Sequence, residues 1–286
     1  MLYVNERTKK YIKVILLLAV VFLLAGCTRN LDSEGKLIAS RAINESTEWS
    51  LSNGIFDSIL VFPIAKSIIY LSKITGNVAW GVVALTILIN IIILPLMIKS
   101  TVSSQKMQMI QPELEKIQNK YRGRNDQNSQ MRQSAEMQEL YKKNGISMAA
   151  SFTSLLTLPI MLAMWQAVQR VEILYSSSFL GLELGVTPMT KILAGGWGYI
   201  ILVVVVGLTQ YMAIEINNIM LKRNPKYKQS KQQDSMKTMN LVMTAMIIWF
   251  SLEMPSAMSL YWITTSLITI LRTVFIQLVY IEGKKK

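Results

Sequence analysis

Five long apolar blocks, separated by polar stretches, follow one another between residue 80 and the C-terminus. Each block is long enough to cross the hydrocarbon core of a bilayer, about 30 Å thick, as a single α-helix. The pattern therefore predicts an all-α membrane protein with five transmembrane helices. The predicted spans are Trp80–Ile98, about Ala149–Tyr175, Gly196–Ile216, Met236–Met254 and Pro255–Tyr280.

A shorter apolar block near the N-terminus ends at the only cysteine of the chain. Basic residues precede this block, Val14–Phe22 is uninterrupted apolar sequence, and Leu24-Ala25-Gly26-Cys27 follows. This order is typical of a secretory signal peptide, and the small residues resemble a bacterial lipobox, in which the cysteine thiol receives a diacylglycerol. We predict a lipoprotein signal peptide over residues 1–26 and lipidation of Cys27. A plain signal anchor with an unmodified cysteine is the alternative.

The stretch between the signal peptide and the first span divides into two parts. Residues 27–54 are polar and predict an extracytoplasmic tether of little structure. Residues 55–75 are more apolar, but Asp57, Lys66 and Lys73 disfavour a span, so we predict an amphipathic helix lying in the outer membrane interface. Gly76 and Asn77 then end this segment before the five-span domain, which we place at residues 76–281.

The basic residues indicate how the spans are oriented. Most of the 30 Lys and Arg residues lie before Val14, in 99–145, in 222–237 and in the basic tail 282–286. Cytoplasmic loops of membrane proteins carry such an excess, so we expect the tether outside the cell and the C-terminus in the cytoplasm. Topology thus accounts for most of the net charge of +13. Binding of ribosomal RNA remains open, and no DNA partner is predicted.

The polar stretch 99–145 carries an apolar seam. Apolar side chains recur there at alternating spacings of three and four, as in a coiled coil. Residues 122–126 form a turn signal, and a second helix can return antiparallel to the first. We predict a cytoplasmic helical hairpin, against the alternative of a short solvated loop. The seam residues are Met107, Ile110, Leu114, Ile117 and Tyr121 in the first arm and Met131, Ala135, Met137, Leu140 and Tyr141 in the second.

Several function classes are excluded or disfavoured by missing residue types. The chain has no His and one Cys, and its four Asp residues lie outside the apolar blocks, so Ser-His triads, His-ligated zinc, thiolate clusters and an embedded Asp dyad are excluded. We therefore predict no cofactor and no enzymatic activity. A solute transporter or channel is disfavoured because the spans show no inverted repeat and no carboxylate at a span centre.

An ordered set of motifs resembles the YidC/Oxa family of membrane insertases, from about residue 55 to 280. The lipobox ahead of this region is similar to the Gram-positive branch of the family. The motifs are Gly76-Asn77, Ile93-Leu94-Pro95-Leu96-Met97-Ile98-Lys99, Met109-Ile110-Gln111-Pro112-Glu113-Leu114, Leu158-Pro159-Ile160 with Ala167, and Met254-Pro255-Ser256-Ala257 followed by Leu260-Tyr261-Trp262.

This resemblance implies a function. A member of the family would insert and help to fold integral membrane proteins in a bacterial plasma membrane, alone or with the Sec translocon. Its partners would be nascent membrane proteins and the lipid bilayer, with the Sec translocon and the ribosome as further candidates. The five spans would surround a polar groove open to the cytosol and to lipid. Such a groove would lower the cost of moving a charged residue to the bilayer centre, about 2.5–3.5 kcal/mol on the insertion scale.

Two departures from the family pattern lie in the expected groove. Asn90 stands where this branch has an arginine, and Thr157 stands where it has a glutamine. The groove thus keeps polarity and loses charge, which leaves open a specialised or regulatory paralogue. Arg272 lies near the cytoplasmic end of the last span, and we interpret it as snorkelling to the interface.

The candidate groove residues are polar side chains within the spans. An intramembrane Asn indicates a functional site, whereas Ser and Thr more often form hydrogen bonds between or within helices. We assign the substrate-contacting role to Asn90, Ser154, Thr157, Gln166, Gln210 and Thr265, with Ser151, Thr153, Thr244 and Ser259 as further candidates.

Overall fold

The structure, a computed structural model of the full chain, describes most of the residues after the predicted signal peptide. The predicted lipidation site Cys27 and the candidates Ser151, Thr153 and Ser154 lie outside the described residues. The described residues are 30, 32, 37–124, 126–146, 157–223, 227 and 231–282, without the side chains of 157 and 231–236.

The described residues are mostly helical, as the apolar blocks predict. Short 3₁₀ turns at 39–41, 51–53 and 172–176 and a two-residue strand pair connect the helices. The strands are β1 (Ser178–Phe179) and β2 (Leu182–Glu183), which pair antiparallel. The helices are α1 (Asp57–Thr75, its first turn π-type), α2 (Val78–Met109), α3 (Gln111–Lys120), α4 (Gln127–Lys143), α5 (Thr157–Arg170), α6 (Pro188–Leu193), α7 (Trp197–Lys222), α8 (Lys231–Glu253) and α9 (Ser256–Ile276, continued by a π-type turn Gln277–Glu282).

A tight connection joins α1 to α2. Gly76 ends α1 with a φ of 74°, a left-handed conformation that only glycine adopts without strain. The side chain of Asn77 then accepts a hydrogen bond from the Ala79 N–H at 2.8 Å and caps α2. Gly81 allows the two helices to touch, because a Cβ there would lie 2.3 Å from the Ser72 hydroxyl oxygen. These residues fix α1 against the first part of α2.

Hydrogen bonds to the strands show that α2, α7 and α9 begin at the same end of the bundle. We call this end the strand end. The three helices therefore run in the same direction, and α8, which precedes α9 directly, runs in the opposite direction and packs against α7. The bonds run from Asn77 Nδ2 to the Ser178 carbonyl oxygen (3.2 Å), from the Ala257 N–H to the Leu184 carbonyl oxygen (3.0 Å) and from the Glu183 N–H to the Tyr199 hydroxyl oxygen (2.9 Å).

The opposite end carries the helices α3 and α4, and we call it the hairpin end. There Gln105 Nε2 of α2 donates to Asn217 Oδ1 of α7 at 3.1 Å. Arg223 lies 3.8 Å from Glu282 and connects α7 to the end of α9. The two ends thus define a bundle axis, along which the depth of any helical residue can be counted.

Large apolar side chains face outward along the middle of the bundle. Ile92 is 75% exposed, Leu208 61% and Leu271 71%, on three different helices. Contiguous exposed apolar surface of this kind is typical of a protein surrounded by lipid. Among the described residues, four helices are also long and apolar enough to cross a membrane, namely Asp57–Thr75, Val78–Met109, Trp197–Lys222 and Ser256–Glu282. The chain is an all-α membrane protein.

Three of these four helices contain predicted spans. The fourth, α1, was predicted to lie in the interface, yet its length and composition also suit a span. The other two predicted spans coincide in part with α5 and α8, which are not among these four helices of the described residues. Residues 149–156 of the second predicted span lie outside the described residues.

Residues 37–54 are more ordered than their polar composition predicted. Ile43 is fully buried and forms a parallel bridge with Val171, just after α5. Its N–H donates to the Arg170 carbonyl at 2.7 Å, and its own carbonyl accepts from the Glu172 N–H at 3.1 Å. A single apolar residue inserted into the core at the strand end therefore anchors a segment that was expected to be a loose tether.

The helices α3 and α4 contact each other at the hairpin end. Buried Ile110, Leu114 and Leu140 form a small apolar cluster between them, and Met107, Ile117, Met137 and Tyr141 pack around it. Asp126 caps α4 by accepting a hydrogen bond from the Ser129 N–H at 2.8 Å. The cluster buries most of the seam that the sequence analysis identified.

Candidate functional site

A cavity of about 320 Å³ lies within the helix bundle. Side chains of α2, α5, α7, α8 and α9 line it, so it is central to the bundle rather than a surface dimple. A space of this size holds several water molecules where polar groups are available to bind them. The lining is apolar at Ile89, Ile93, Met97, Ile160, Met161, Met164, Ala213, Ile214, Ile247, Tyr261 and Trp262, and polar at Thr86, Asn90, Gln210, Thr265, Ser266, Thr269 and Arg272.

Asn90 is one of two polar residues with which α2 lines the cavity, the other being Thr86. Its Nδ2 donates to the Thr86 carbonyl oxygen at 2.8 Å, one turn earlier in the same helix. This bond uses one N–H of the amide, and a neutral amide can donate a second hydrogen bond and accept two more. By the rise of an α-helix, Asn90 lies about 18 Å beyond Val78, near the middle of a bilayer core about 30 Å thick.

A hydrogen bond between α7 and α9 forms a second polar part of the lining. The Ser266 hydroxyl donates to Gln210 Oε1 at 2.9 Å. This bond holds Gln210 against α9. It uses the amide oxygen of Gln210, and the amide nitrogen takes no part in it. Thr265 also lines the cavity, next to Ser266. Three of the residues predicted from the sequence, Asn90, Gln210 and Thr265, therefore meet in one cavity.

Arg272 also lines the cavity, although we expected it to reach the interface. Its Nε is buried and has no hydrogen-bond partner. Its Nη2 makes only a long hydrogen bond of 3.5 Å, to the Thr269 hydroxyl on the same helix. In the part of the chain that the structure describes, no carboxylate forms a salt bridge with it. The guanidinium is therefore a weakly partnered cation at the cavity.

Helical spacing could have indicated this position of Arg272. Tyr261, Thr265, Thr269 and Arg272 recur at intervals of four, four and three, which places them on one face of α9. Depth alone favours snorkelling, whereas the shared face predicts that Arg272 and Thr265 line the same space.

Other candidates lie elsewhere. Gln166 is only 3% exposed and does not line the cavity, because this part of α5 packs in the core at the strand end. Thr244 donates to the Asn240 carbonyl of its own helix, and Ser259 is fully buried outside the cavity lining. Thr157 begins α5, and its side chain is not described. Among the described residues, no group of three or more Cys, Asp or Glu could hold a metal ion.

Another arginine, Arg170, lies at the strand end, outside the cavity. Arg170 is 3% exposed, and its Nη1 lies 2.5 Å from Asp57 Oδ2. Its Nε donates to the Arg41 carbonyl oxygen at 2.7 Å. The guanidinium thus joins the ordered N-terminal segment, the start of α1 and the end of α5. Its charge is compensated, which suits a structural role.

Comparison with known proteins shows extensive similarity to membrane insertases. Residues 70–284 match the model of the family described as 60Kd inner membrane protein. The chain is 33% identical over 224 residues to the membrane protein insertase MisCA of Bacillus subtilis, a match that covers 78% of this chain and 79% of the relative. It is 31% identical over 271 residues to the membrane protein insertase YidC of Alkalihalophilus pseudofirmus, covering 93% and 94%. It is 29% identical over 279 residues to YidC 1 of Halalkalibacterium halodurans, covering 97% and 95%.

Proposed function

Since this chain belongs to the YidC/Oxa family, whose family model is described as 60Kd inner membrane protein, we propose that it inserts integral membrane proteins into a bacterial membrane. The observation that carries the proposal is the cavity between α2, α5, α7, α8 and α9, which Asn90 lines. Its substrates would be newly made membrane proteins, and the lipid bilayer would surround it.

The cavity suits this activity because it lowers the cost of translocating a polar tail. A charged residue at the centre of a bilayer costs about 2.5–3.5 kcal/mol on the insertion scale. Hydrogen-bonding groups from three helices, among them Asn90, Gln210 and Ser266, can hold water or the polar tail itself at that depth. Meanwhile the exposed apolar faces of the helices allow the apolar part of a substrate to move directly into lipid.

We place the strand end outside the cell and the hairpin end in the cytoplasm. This orientation is supported by the basic residues at the hairpin end, which include Lys106, Lys142, Lys222 and Arg223. It implies five spans with α3 and α4 in the cytoplasm, and it places the ordered segment before α1 outside. The predicted lipid on Cys27 would then attach that segment to the outer leaflet.

Complementation tests the function. The chain is expressed in a bacterium depleted of its own insertase, and growth and insertion of a small rotary-ATPase membrane subunit are measured. We expect both to recover. A chain that reaches the membrane but supports neither growth nor insertion, with any substrate tried, would exclude insertase activity.

A matched pair of substitutions tests the role of the cavity. Ala213→Phe adds a bulky side chain to the cavity lining and should strongly reduce insertion. Ala245→Phe adds the same side chain at an exposed position of α8 and should leave insertion unchanged. Equal activity of both variants would show that substrates do not use this space.

Mass spectrometry of the mature N-terminus tests the lipid anchor. We expect a chain that begins at a diacylglyceryl-modified Cys27, and an intact Met1 would exclude it. Cys27→Ala should leave the bundle assembled, since α1–α9 pack extensively against one another through described residues.

A further inference from the structure

Among the described residues that line the cavity, Arg272 is the one that carries a charge. Arg272 lines the cavity with a buried Nε that lacks a hydrogen-bond partner. Burying a cation without a counter-charge is costly, and proteins usually pair such a group. Arg170 illustrates the usual solution, since Asp57 Oδ2 lies 2.5 Å from its guanidinium. Arg272 has no such carboxylate among the described residues.

The position of Arg272 along the bundle axis indicates when a ligand would meet it. By the rise of an α-helix, it lies about 24 Å beyond Ser256, whereas Asn90 lies about 18 Å beyond Val78. Both helices begin at the strand end, so Arg272 is the deeper of the two, closer to the hairpin end. A polar chain that enters the cavity from the hairpin end therefore passes the guanidinium before it reaches Asn90.

The chemistry of the group favours a carboxylate. A guanidinium presents planar, paired N–H donors that match a carboxylate or a phosphate in bidentate geometry. Nε is one of these donors, and it is a free one in Arg272. Asp and Glu side chains in the tail of an incoming protein supply carboxylates, and an anionic lipid headgroup would supply a phosphate. The location inside the bundle, on the path to Asn90, favours the tail.

We propose that Arg272 is an anion-binding residue of the cavity, which binds Asp or Glu side chains in the polar tail of a substrate as the tail enters. The residue thereby supplies from α9 the positive charge that Asn90 does not supply from α2. This inference rests on the proposed function, and it assigns to Arg272 the discrimination between acidic and neutral tails.

Reconstitution of the full-length protein into liposomes tests the proposal. The substrates are single-span proteins that differ only at two tail positions, with Asp, Asn or Lys at both, and protease protection of the tail measures insertion. Arg272→Gln should lower insertion of the Asp tail about tenfold, the value expected for one hydrogen bond to a charged group. Insertion of the Asn and Lys tails should not fall. Arg272→Lys should keep most of the preference for Asp.

Arg223→Gln is the matched control. It also removes one positive charge near the hairpin end, but Arg223 lies outside the cavity and pairs with Glu282. It should leave the ratio of Asp-tail to Asn-tail insertion unchanged. A fall in that ratio equal to that of Arg272→Gln would show a general effect of surface charge and would overturn the proposal.

The composition of the liposomes separates the two anion sources. With zwitterionic lipid alone, the Asp-tail defect of Arg272→Gln should persist. A defect that appears only with phosphatidylglycerol present and affects all tails equally would assign Arg272 to a lipid headgroup, and would overturn the assignment to the tail. Loss of insertion of all three tails in zwitterionic lipid would indicate a structural role and would also overturn it.

A crosslinking measurement does not depend on the folding of an Arg272 variant. A photoreactive amino acid replaces Thr269, which lines the cavity beside Arg272. It should capture the Asp tail several-fold more than the Asn tail, and equal capture would contradict the proposal. If the unaltered protein inserts none of the three substrates, the proposed function itself fails, and that outcome is distinct from insertion without tail preference.

Discussion

Two arginines on apolar helices of this protein have opposite surroundings. Arg170 at the strand end is held by Asp57 and by the Arg41 carbonyl oxygen, so its charge and two of its donor nitrogens are satisfied. Arg272 at the cavity has a buried Nε without a partner and no carboxylate among the described residues. An arginine side chain therefore connects three segments at the strand end, as Arg170, and presents a free hydrogen-bond donor at the cavity, as Arg272.

This difference corresponds to two kinds of region within one bundle. At the strand end, a large apolar core and the paired Arg170 hold the N-terminal segment, α1 and α5 together. Along the cavity, polar groups such as Asn90 and Arg272 face an open space and have few internal partners. We expect substitutions in the first region to change stability and substitutions in the second to change substrate choice.

Asp57→Asn should produce the largest loss of stability. The change removes the carboxylate and leaves Arg170 buried without a counter-charge, which typically costs about 3–5 kcal/mol in the free energy of unfolding. Unfolding of the purified protein in detergent, followed by tryptophan fluorescence, measures this loss. Replacing both partners, Asp57→Leu with Arg170→Met, should recover much of the stability. If Asp57→Asn is as stable as the parent, the strand end does not depend on charge pairing.

Ile43→Ala should destabilise the same end by a different mechanism. Ile43 is fully buried, and truncating a buried isoleucine typically costs about 2–5 kcal/mol through lost contacts and the cavity left behind. The segment 37–54 should then become accessible to protease before α1 does. The exposed Leu51, on the same segment, is the control, and Leu51→Ala should have little effect. Equal protection of the parent and Ile43→Ala would show that Ile43 does not anchor the segment.

The sequence predicted the regular part of this architecture well. The long apolar blocks correspond to α2, α7 and α9, because uninterrupted apolar sequence has few other stable arrangements in a membrane protein. Asn90 and Gln210 line the cavity, since polar residues within apolar helices turn toward the protein interior, and their contact with a substrate stays a prediction.

Features that depend on packing between distant segments could not be predicted. Ile43 is a single apolar residue in a polar stretch, so no periodicity marks it as part of the core. Gln166 and Gln210 look equivalent in sequence, but α5 packs against α1 and turns Gln166 away from the cavity. For Arg272, helical spacing predicts the face of α9 that it occupies. The lack of a carboxylate partner among the described residues depends on tertiary packing and could not be predicted.

Substitutions at Asn90 should change activity moderately. Asn90→Leu removes the polar group from the cavity and should lower insertion of neutral and acidic tails about three- to thirtyfold, in line with about 0.6–2 kcal/mol for an intramembrane hydrogen bond. Asn90→Arg should raise insertion of acidic tails and change neutral tails little. Protease protection of the paired substrates measures both effects.

The double variant Asn90→Arg with Arg272→Gln sharpens this prediction. It should regain the preference for acidic tails that Arg272→Gln loses, because a positive charge on α2 replaces the one on α9 within the same cavity. Equal activity of Asn90→Leu and the parent on both tails would mean that Asn90 only bonds its own helix at Thr86.

The ion pair of Lys120 and Glu136 in the helical hairpin should show the smallest effect, because it is exposed. Lys120 Nζ lies 2.6 Å from Glu136 Oε1, a distance similar to that of the Arg170–Asp57 pair, but the side chains are 59% and 35% exposed. The hydrogen bond from Lys120, and then that from the Tyr121 hydroxyl, lowers the pKa of Glu136. The hydrogen bond to Glu136 raises the pKa of Lys120.

These shifts define the pH dependence of the hairpin. Glu136 contributes to the stability of the hairpin above the ordinary pKa of a carboxyl group, about 4.3. This contribution is lost as the pH falls through the lowered pKa of Glu136. Lys120 contributes to that stability below the ordinary pKa of a lysine, and this contribution is lost as the pH rises through the raised pKa of Lys120.

Glu136→Gln should therefore slightly lower the thermal stability of the hairpin near neutral pH and have no effect in strong acid, and added salt should reduce the difference. Site-specific hydrogen exchange in α3 and α4, at both pH values, measures it. A loss as large as that of Asp57→Asn would show that burial does not distinguish the two ion pairs, and the contrast between the two regions would then need another cause.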